Sequence, residues 1–187
     1  MPLLGVAVAV IRDGRVLLAR RVDLGVWCLP GGAVAEGESV AQTAAREVQE
    51  EFGLDVRLMR LVGVYSQPRW AAGGCHDVLF AARVRGGGPR PRPDVAREAA
   101  FFALDALPEP LLWWHRRLAA DALAAARGGG RAWSLGNTWP FAAERRVVVA
   151  QARRDPEVAE RLRDALIRPS AEGERLECPQ RSTRRPA

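Results

Sequence analysis

An α/β domain with a C-terminal extension is the fold class this sequence predicts, on three observations. Apolar runs of strand length recur between turn residues, at residues 5–11, 56–65 and 76–84. Two other stretches, beginning near Val40 and Leu111, carry their apolar residues at helical spacing instead. The 187 residues are enough for one domain with an appendage and a real core.

Taken in order, residues 5–11 read as a strand that turns at Asp13-Gly14 and returns over residues 15–20 as a hairpin. Trp27-Cys28-Leu29-Pro30-Gly31-Gly32 then forms a loop whose glycines tolerate close backbone approach. The helix that follows is marked at both ends. Ser39 with Gln42 makes a capping box, Val40, Ala44, Val48 and Phe52 form an apolar stripe, and Gly53 stands where a left-handed C-cap belongs, with Leu54 as its hydrophobic contact. Strands are expected at 56–65 and 76–84, an exposed connection through GGGPRPRPD at 86–94, and a short strand at 99–104 before the turn at 105–108. Residues 111–127 read as a helix with Leu111, Trp114, Leu118, Ala122 and Ala125 on one face, stopped by Gly128-Gly129-Gly130.

That glycine run divides the chain into a domain at 1–128 and a basic, partly helical extension at 129–187. In the extension Trp133, Trp139, Phe141 and Val147 to Val149 suggest a strand or cap, and residues 156–168 an amphipathic helix with Val158, Leu162, Ala165 and Leu166 on one side. Either a small helical appendage or a crossed-over arm of a homodimer fits. Few contacts need cross the break, so the extension is expected to be dispensable for chemistry.

Every basic residue is arginine, and the net charge is +6. Residues 1–128 carry 16 Arg against 14 acids, and residues 129–187 carry 12 against 8. The tail, ending with Arg181, Arg184 and Arg185, reads as solvated and disordered rather than as a nucleic-acid surface. No apolar run reaches the roughly 20 residues that span a bilayer, and the N-terminus lacks the positive region of a secretory signal. Cys28, Cys75 and Cys178 have no metal or CxxC spacing and read as free thiols of a reducing cytoplasm. His76 and His115 are isolated, which suits structural or surface roles.

The chemistry concentrates in the 23 residues from Gly32 to Leu54. Glu47, Glu50 and Glu51 stand at i, i+3 and i+4 on one helical face, where like charges repel by a few tenths of a kcal/mol per pair. A hard divalent cation, which prefers oxygen ligands, is the simplest remedy. Gly32, five residues, Glu38, seven residues, then Arg46-Glu47-Val48-Gln49-Glu50-Glu51-Phe52-Gly53-Leu54 should arise by chance less than about once in a million start points. This run resembles the box of the Nudix hydrolase family, with every fixed position matched. Leu17 to Arg21, Trp27 to Gly32 and Phe101 to Pro108 also look like segments of that family, so the resemblance covers roughly residues 4–127.

The resemblance implies an α/β/α sandwich built on a mixed sheet. It also implies Mg²⁺-dependent hydrolysis of a nucleoside diphosphate linked to another moiety, with Mn²⁺ as a substitute. By the same analogy Glu47, Glu50, Glu51 and the Gly32 carbonyl are the metal ligands, and Arg46 orients a glutamate. Glu38 braces the loop or reaches the metal through water. Glu50 and Glu98 are both candidates for the general base, with Asp77 and Asp94 as weaker contenders. Trp27, Tyr65, Trp70 and Phe101 could stack on a base, and Arg20, Arg21 and Arg69 could pair with phosphates; Arg20, Arg69 and Trp27 are the substrate contacts expected. The substrate classes left open are a nucleoside triphosphate, an ADP-ribose-like sugar nucleotide and a dinucleoside polyphosphate. The alternatives are a ligand sensor that regulates transcription through the basic C-terminal region and a scaffold without activity.

Overall fold

A computed structural model describes residues 2–70, 73–124, 131–136, 138–169 and 173–178. Strand β1 (Leu3–Arg12) turns at Asp13 and Gly14, with φ of 51° and 71°, into β2 (Arg15–Arg21). Two consecutive positive φ angles match the twist of a two-residue hairpin, which accounts for the Asp-Gly pair. Short strands β3 (Trp27–Cys28) and β4 (Gly31–Ala33) follow. Helix α1 (Val40–Phe52) has the expected reciprocal Ser39–Gln42 capping box and a left-handed Gly53 at φ 63°. Next come β5 (Val56–Gln67), β6 (Cys75–Val84), β7 (Ala96–Phe102) and α2 (Trp113–Ala124). Ala125, the Gly128–Gly130 break and the tail from 179 onward lie outside the described residues.

The strands make one mixed sheet in the order β3-β2-β1-β6-β5, with β4 paired to β1 and β7 to β2. β1 and β6 run parallel, and the β2 pairings are antiparallel. β1 is buried on both faces, which explains its nearly continuous apolar run. Val6, Val8 and Val10 point to one side, where Ala44, Val48 and Phe52 of α1 cover them. Ala7 and Ala9 point to the other, against Trp114, Leu118, Ala119 and Ala122 of α2. The fold is therefore α/β with a layer of helix on each face of the sheet.

The extension continues this structure. Strand β8 (Arg131–Leu135) lies parallel to β5, and β9 (Glu174–Cys178) pairs antiparallel with β8. Helices α3 (Arg145–Ala152) and α4 (Pro156–Ile167) pack on the α2 side, where Trp133, Leu135, Val148, Leu162 and Leu166 join the same core. Val147 to Val149 thus sit in a helix rather than a strand. Burial of Val148 against the core outweighs the modest helix cost of β-branched residues. Asp155 caps α4 and Pro156 opens it, as expected of that segment. Among the described residues, no helix is long and apolar enough to cross a membrane.

Candidate active site

The capped start of α1 and the β4 strand together fix the acidic cluster. Gly32 pairs with Val6, and a Cβ added to it would lie 2.5 Å from the Glu47 carboxylate carbon. Glycine is required there because the acid rests directly on the backbone. Glu51 takes a hydrogen bond from the Gly31 backbone, and burial together with the Glu47 charge pushes its pKa up to about 7. Two carboxylates thus converge on one side of the Gly31–Gly32 backbone.

Arg46 organises the remainder. Its Nε and Nη2 donate to Glu38 at 2.7 and 2.9 Å, while Nη1 donates to Glu47 at 2.9 Å and to Glu50 at 3.2 Å. Glu38 also accepts from Thr43 at 2.9 Å, and these bonds hold its carboxyl down to about 2. Glu50 is the most open of the set, with 49% of its side chain exposed against 15% for Glu47. Among the described residues no three acidic, thiol or imidazole groups close around one point. The guanidinium draws Glu50 to one side while Glu51 turns to Gly31. An all-oxygen donor set, with Glu47 seated on Gly32 and an unrelieved Glu47–Glu51 repulsion, nevertheless fits a hard divalent cation.

Three cavities of about 550, 150 and 720 Å³ meet around Arg21, which lines all of them. Glu51 and Gly31 open onto the first, and Gly31 and Gly32 onto the second. Arg21 is held by Asp23 through two bonds of 2.9 and 2.6 Å. Asp94 lines the first cavity and Asp77 the second, where burial raises the Asp77 pKa and Gln67 donates to it at 3.2 Å.

The other expected contacts stand elsewhere. Glu98 lies on β7 and accepts from Arg20 at 3.0 Å, lining none of the three cavities. Trp27 is buried edge-on against Phe102 at 5.1 Å, so its ring belongs to the core. Arg69 donates to the Gly136 carbonyl at 3.3 Å, outside these cavities. Tyr65 is buried with its hydroxyl on Asp121 at 2.8 Å, whereas Trp70, held between Trp114 and Trp139, does line the second and third cavities. Arg21 and Arg145 are the cations that line the second cavity, beside Gly31 and Gly32, while Arg153 lines the first and third cavities and Arg146 the third. Alternation along β2 supplied the signal for Arg21, since it faces opposite to Arg20.

His115 ties α2 to the site loop. The Leu29 N–H donates to its Nδ1 at 2.8 Å, and burial depresses its pKa to about 3. An unfolded histidine titrates near 6.5, so the unfolded chain takes up a proton that the folded one refuses between those values. This contribution to stability is complete above about pH 6.5 and falls by about 1.4 kcal/mol per pH unit below it. Glu51, with its raised pKa, acts in the opposite sense. The informative quantity is therefore the difference between the protein and His115→Gln. Denaturant melts should show the variant losing about 2 kcal/mol less than the parent between pH 6.5 and 5. Equal losses would mean that His115 is not held neutral.

A model of the NUDIX domain matches residues 1–122. An ADP-ribose pyrophosphatase of Methanocaldococcus jannaschii is 38% identical over 114 residues, 59% of this chain and 66% of that protein. An NAD-capped RNA hydrolase of Vibrio atlanticus is 36% identical over 106 residues, 56% of this chain and 38% of that one. The chain therefore spans less than two thirds of the length of these curated relatives. Among solved structures, an ADP-ribose pyrophosphatase from Streptococcus suis aligns with a TM-score of 0.60 at 31% identity, over 71% of this chain and 99% of that one.

Proposed function

The chain belongs to the Nudix family, and on that premise we propose that it hydrolyses the pyrophosphate linkage of a nucleoside diphosphate joined to another moiety. The observation that carries this reading is the Glu47–Glu51 pair beside Gly31 and Gly32, opening onto a cavity with Arg21. Its volume of about 550 Å³ suits a ligand of nucleotide size. Nudix hydrolases generally use divalent metal ions. Glu47, Glu50 and Glu51, with the Gly32 carbonyl, would hold Mg²⁺ here, with Mn²⁺ as a substitute. When bound, the ion supplies neutralisation of the pyrophosphate charge and a more acidic water.

The protein's own groups supply position and proton transfer. Arg46 holds Glu47 and Glu50 in fixed relation, and Arg21 faces the substrate's phosphates. Water oxygen bonds to one phosphorus as the bridging P–O bond breaks, and a carboxylate takes the water's proton. Glu50 is favoured as that base over Glu98 because Arg46 holds it within the acidic cluster beside Glu47, whereas Glu98 stands on β7, paired with Arg20. The products are two phosphate compounds, one of them a monoester. A nucleoside triphosphate and an ADP-ribose-like sugar nucleotide are the favoured substrate classes. The extension packs into the enzyme's own core rather than standing apart as a basic module, which supports a hydrolase over a transcriptional sensor.

The test is a product screen over ADP-ribose, 8-oxo-dGTP and a dinucleoside polyphosphate, with Mg²⁺ or with chelator. Turnover of at least one substrate only with metal is expected, together with a melting temperature raised by Mg²⁺. The triple change of Glu47, Glu50 and Glu51 to Gln should abolish both responses. Absence of turnover across the panel would refute the reading.

A further inference from the structure

Arg145, the first residue of α3, lies outside the segment that matches the Nudix domain, yet it lines the second and third cavities beside Arg21. The second cavity also contains Gly31 and Gly32 of the box loop. Arg145 makes no side-chain hydrogen bond or ion pair with any described residue, and it stays open to solvent. Loss of solvation against the cleft and then the Arg21 charge push its pKa down, opposed by the attraction of Cys75, Asp77 and Asp23, none of which bonds to it. Folding alone gives little reason for this arrangement. Glu144 stands at the N-cap of α3 without a side-chain cap bond, and the first turn itself carries Arg145 and Arg146, both unfavourable at the positive end of a helix dipole. Arg146 at least pairs with Glu144 at 3.2 Å.

Two guanidiniums turned into one cleft repel, as the carboxylates across the box do, and an anion between them relieves the repulsion. A planar guanidinium matches the paired oxygens of a phosphate group. Resting on the hydrolase reading above, we propose that Arg145 is a substrate-recognition residue that, with Arg21, binds a phosphate of the nucleotide on the side away from the box glutamates. The C-terminal extension would then complete the cleft in the same chain, and substrate choice would depend in part on residues beyond the family domain.

The experiment compares Arg145→Ala, Arg145→Lys and Arg168→Ala with the full-length parent. The last variant removes the same charge elsewhere in the extension, from a side chain that is 76% exposed and lines none of the three cavities. Binding of methylenediphosphonate, a pyrophosphate analogue that resists hydrolysis, is titrated by calorimetry with Mg²⁺ present, and KM and kcat are measured on the best substrate of the panel. Arg145→Ala should weaken analogue binding about 10- to 100-fold and raise KM similarly, as expected for loss of a charge-assisted contact. Lysine should recover only part of this, and Arg168→Ala should stay within about twofold of the parent. Equal binding by Arg145→Ala and parent, equal losses in both arginine variants, or no analogue binding by the parent would overturn the proposal. Analogue binding that depends on Arg145 in a protein with no turnover would instead sustain the recognition role and refute the hydrolase reading.

Discussion

Glu51→Gln is expected to lower metal-dependent hydrolysis at least about tenfold, and up to about 100-fold, while leaving the fold intact. The magnitude follows from removing one charged partner at a metal site. Glu51 is singled out because it is the carboxylate that both repels Glu47 and opens onto the first cavity. Glutamine retains the length and can still meet the Gly31 backbone, so melting without metal should be unchanged or higher. Steady-state rates in saturating Mg²⁺, with thermal melts alongside, provide the check. Wild-type turnover in this variant would remove Glu51 from the metal site.

A chain ending at Gly129 is expected to melt at least about 10 °C lower than the full protein or to be insoluble. Trp133, Leu135, Val148, Leu162 and Leu166 are all buried in the core that α2 shares. Each such side chain contributes about 1.5–3 kcal/mol when fully buried. Ordering the extension offsets much of that sum, but a net loss of even about 3 kcal/mol corresponds to about 10 °C for a chain of this size. Truncation would also remove the β8 partner of β5, the Glu174 partner of Arg117 at 2.6 Å, and the Trp139 wall beside Trp70. This loss concerns stability; dispensability for chemistry, the expectation from the glycine break, is read separately from the turnover of the shortened chain. Native-like melting of the shortened chain by circular dichroism would refute the stabilising role, and parent-like turnover in it would bear out dispensability for chemistry.

Local signals and non-local ones fared differently. Helix α1 was legible to the residue because its cap, stripe and stop are all encoded within 15 positions of one another. The first hairpin was legible for the same reason. Docking of β8 against β5 was not, since parallel pairing leaves no mark in the sequence near either strand. Val147 to Val149 misled because β-branched runs favour strands until tertiary burial decides otherwise. In the site, the box gave the acids and their arginine, but Trp27 and Glu98 were chosen by residue type. Packing on Phe102 and pairing with Arg20 are invisible before strands are registered. Arg145 left one readable trace, a pair of cations in the first turn of a helix, directly after its N-cap Glu144.

The parallel placement of β8 has a consequence during biosynthesis. Strand β5 ends at Gln67 and its outer neighbour begins at Arg131, so some 64 residues must leave the ribosome before that edge can be covered. At translation rates of about 5–20 residues per second this takes about 3–13 s. Throughout that interval the nascent sheet presents a bare edge to other emerging chains. Met59 and Leu61 remain exposed on this strand even in the finished protein. Arg57, exposed on the same strand, places beside them the kind of charge that discourages edge-to-edge aggregation.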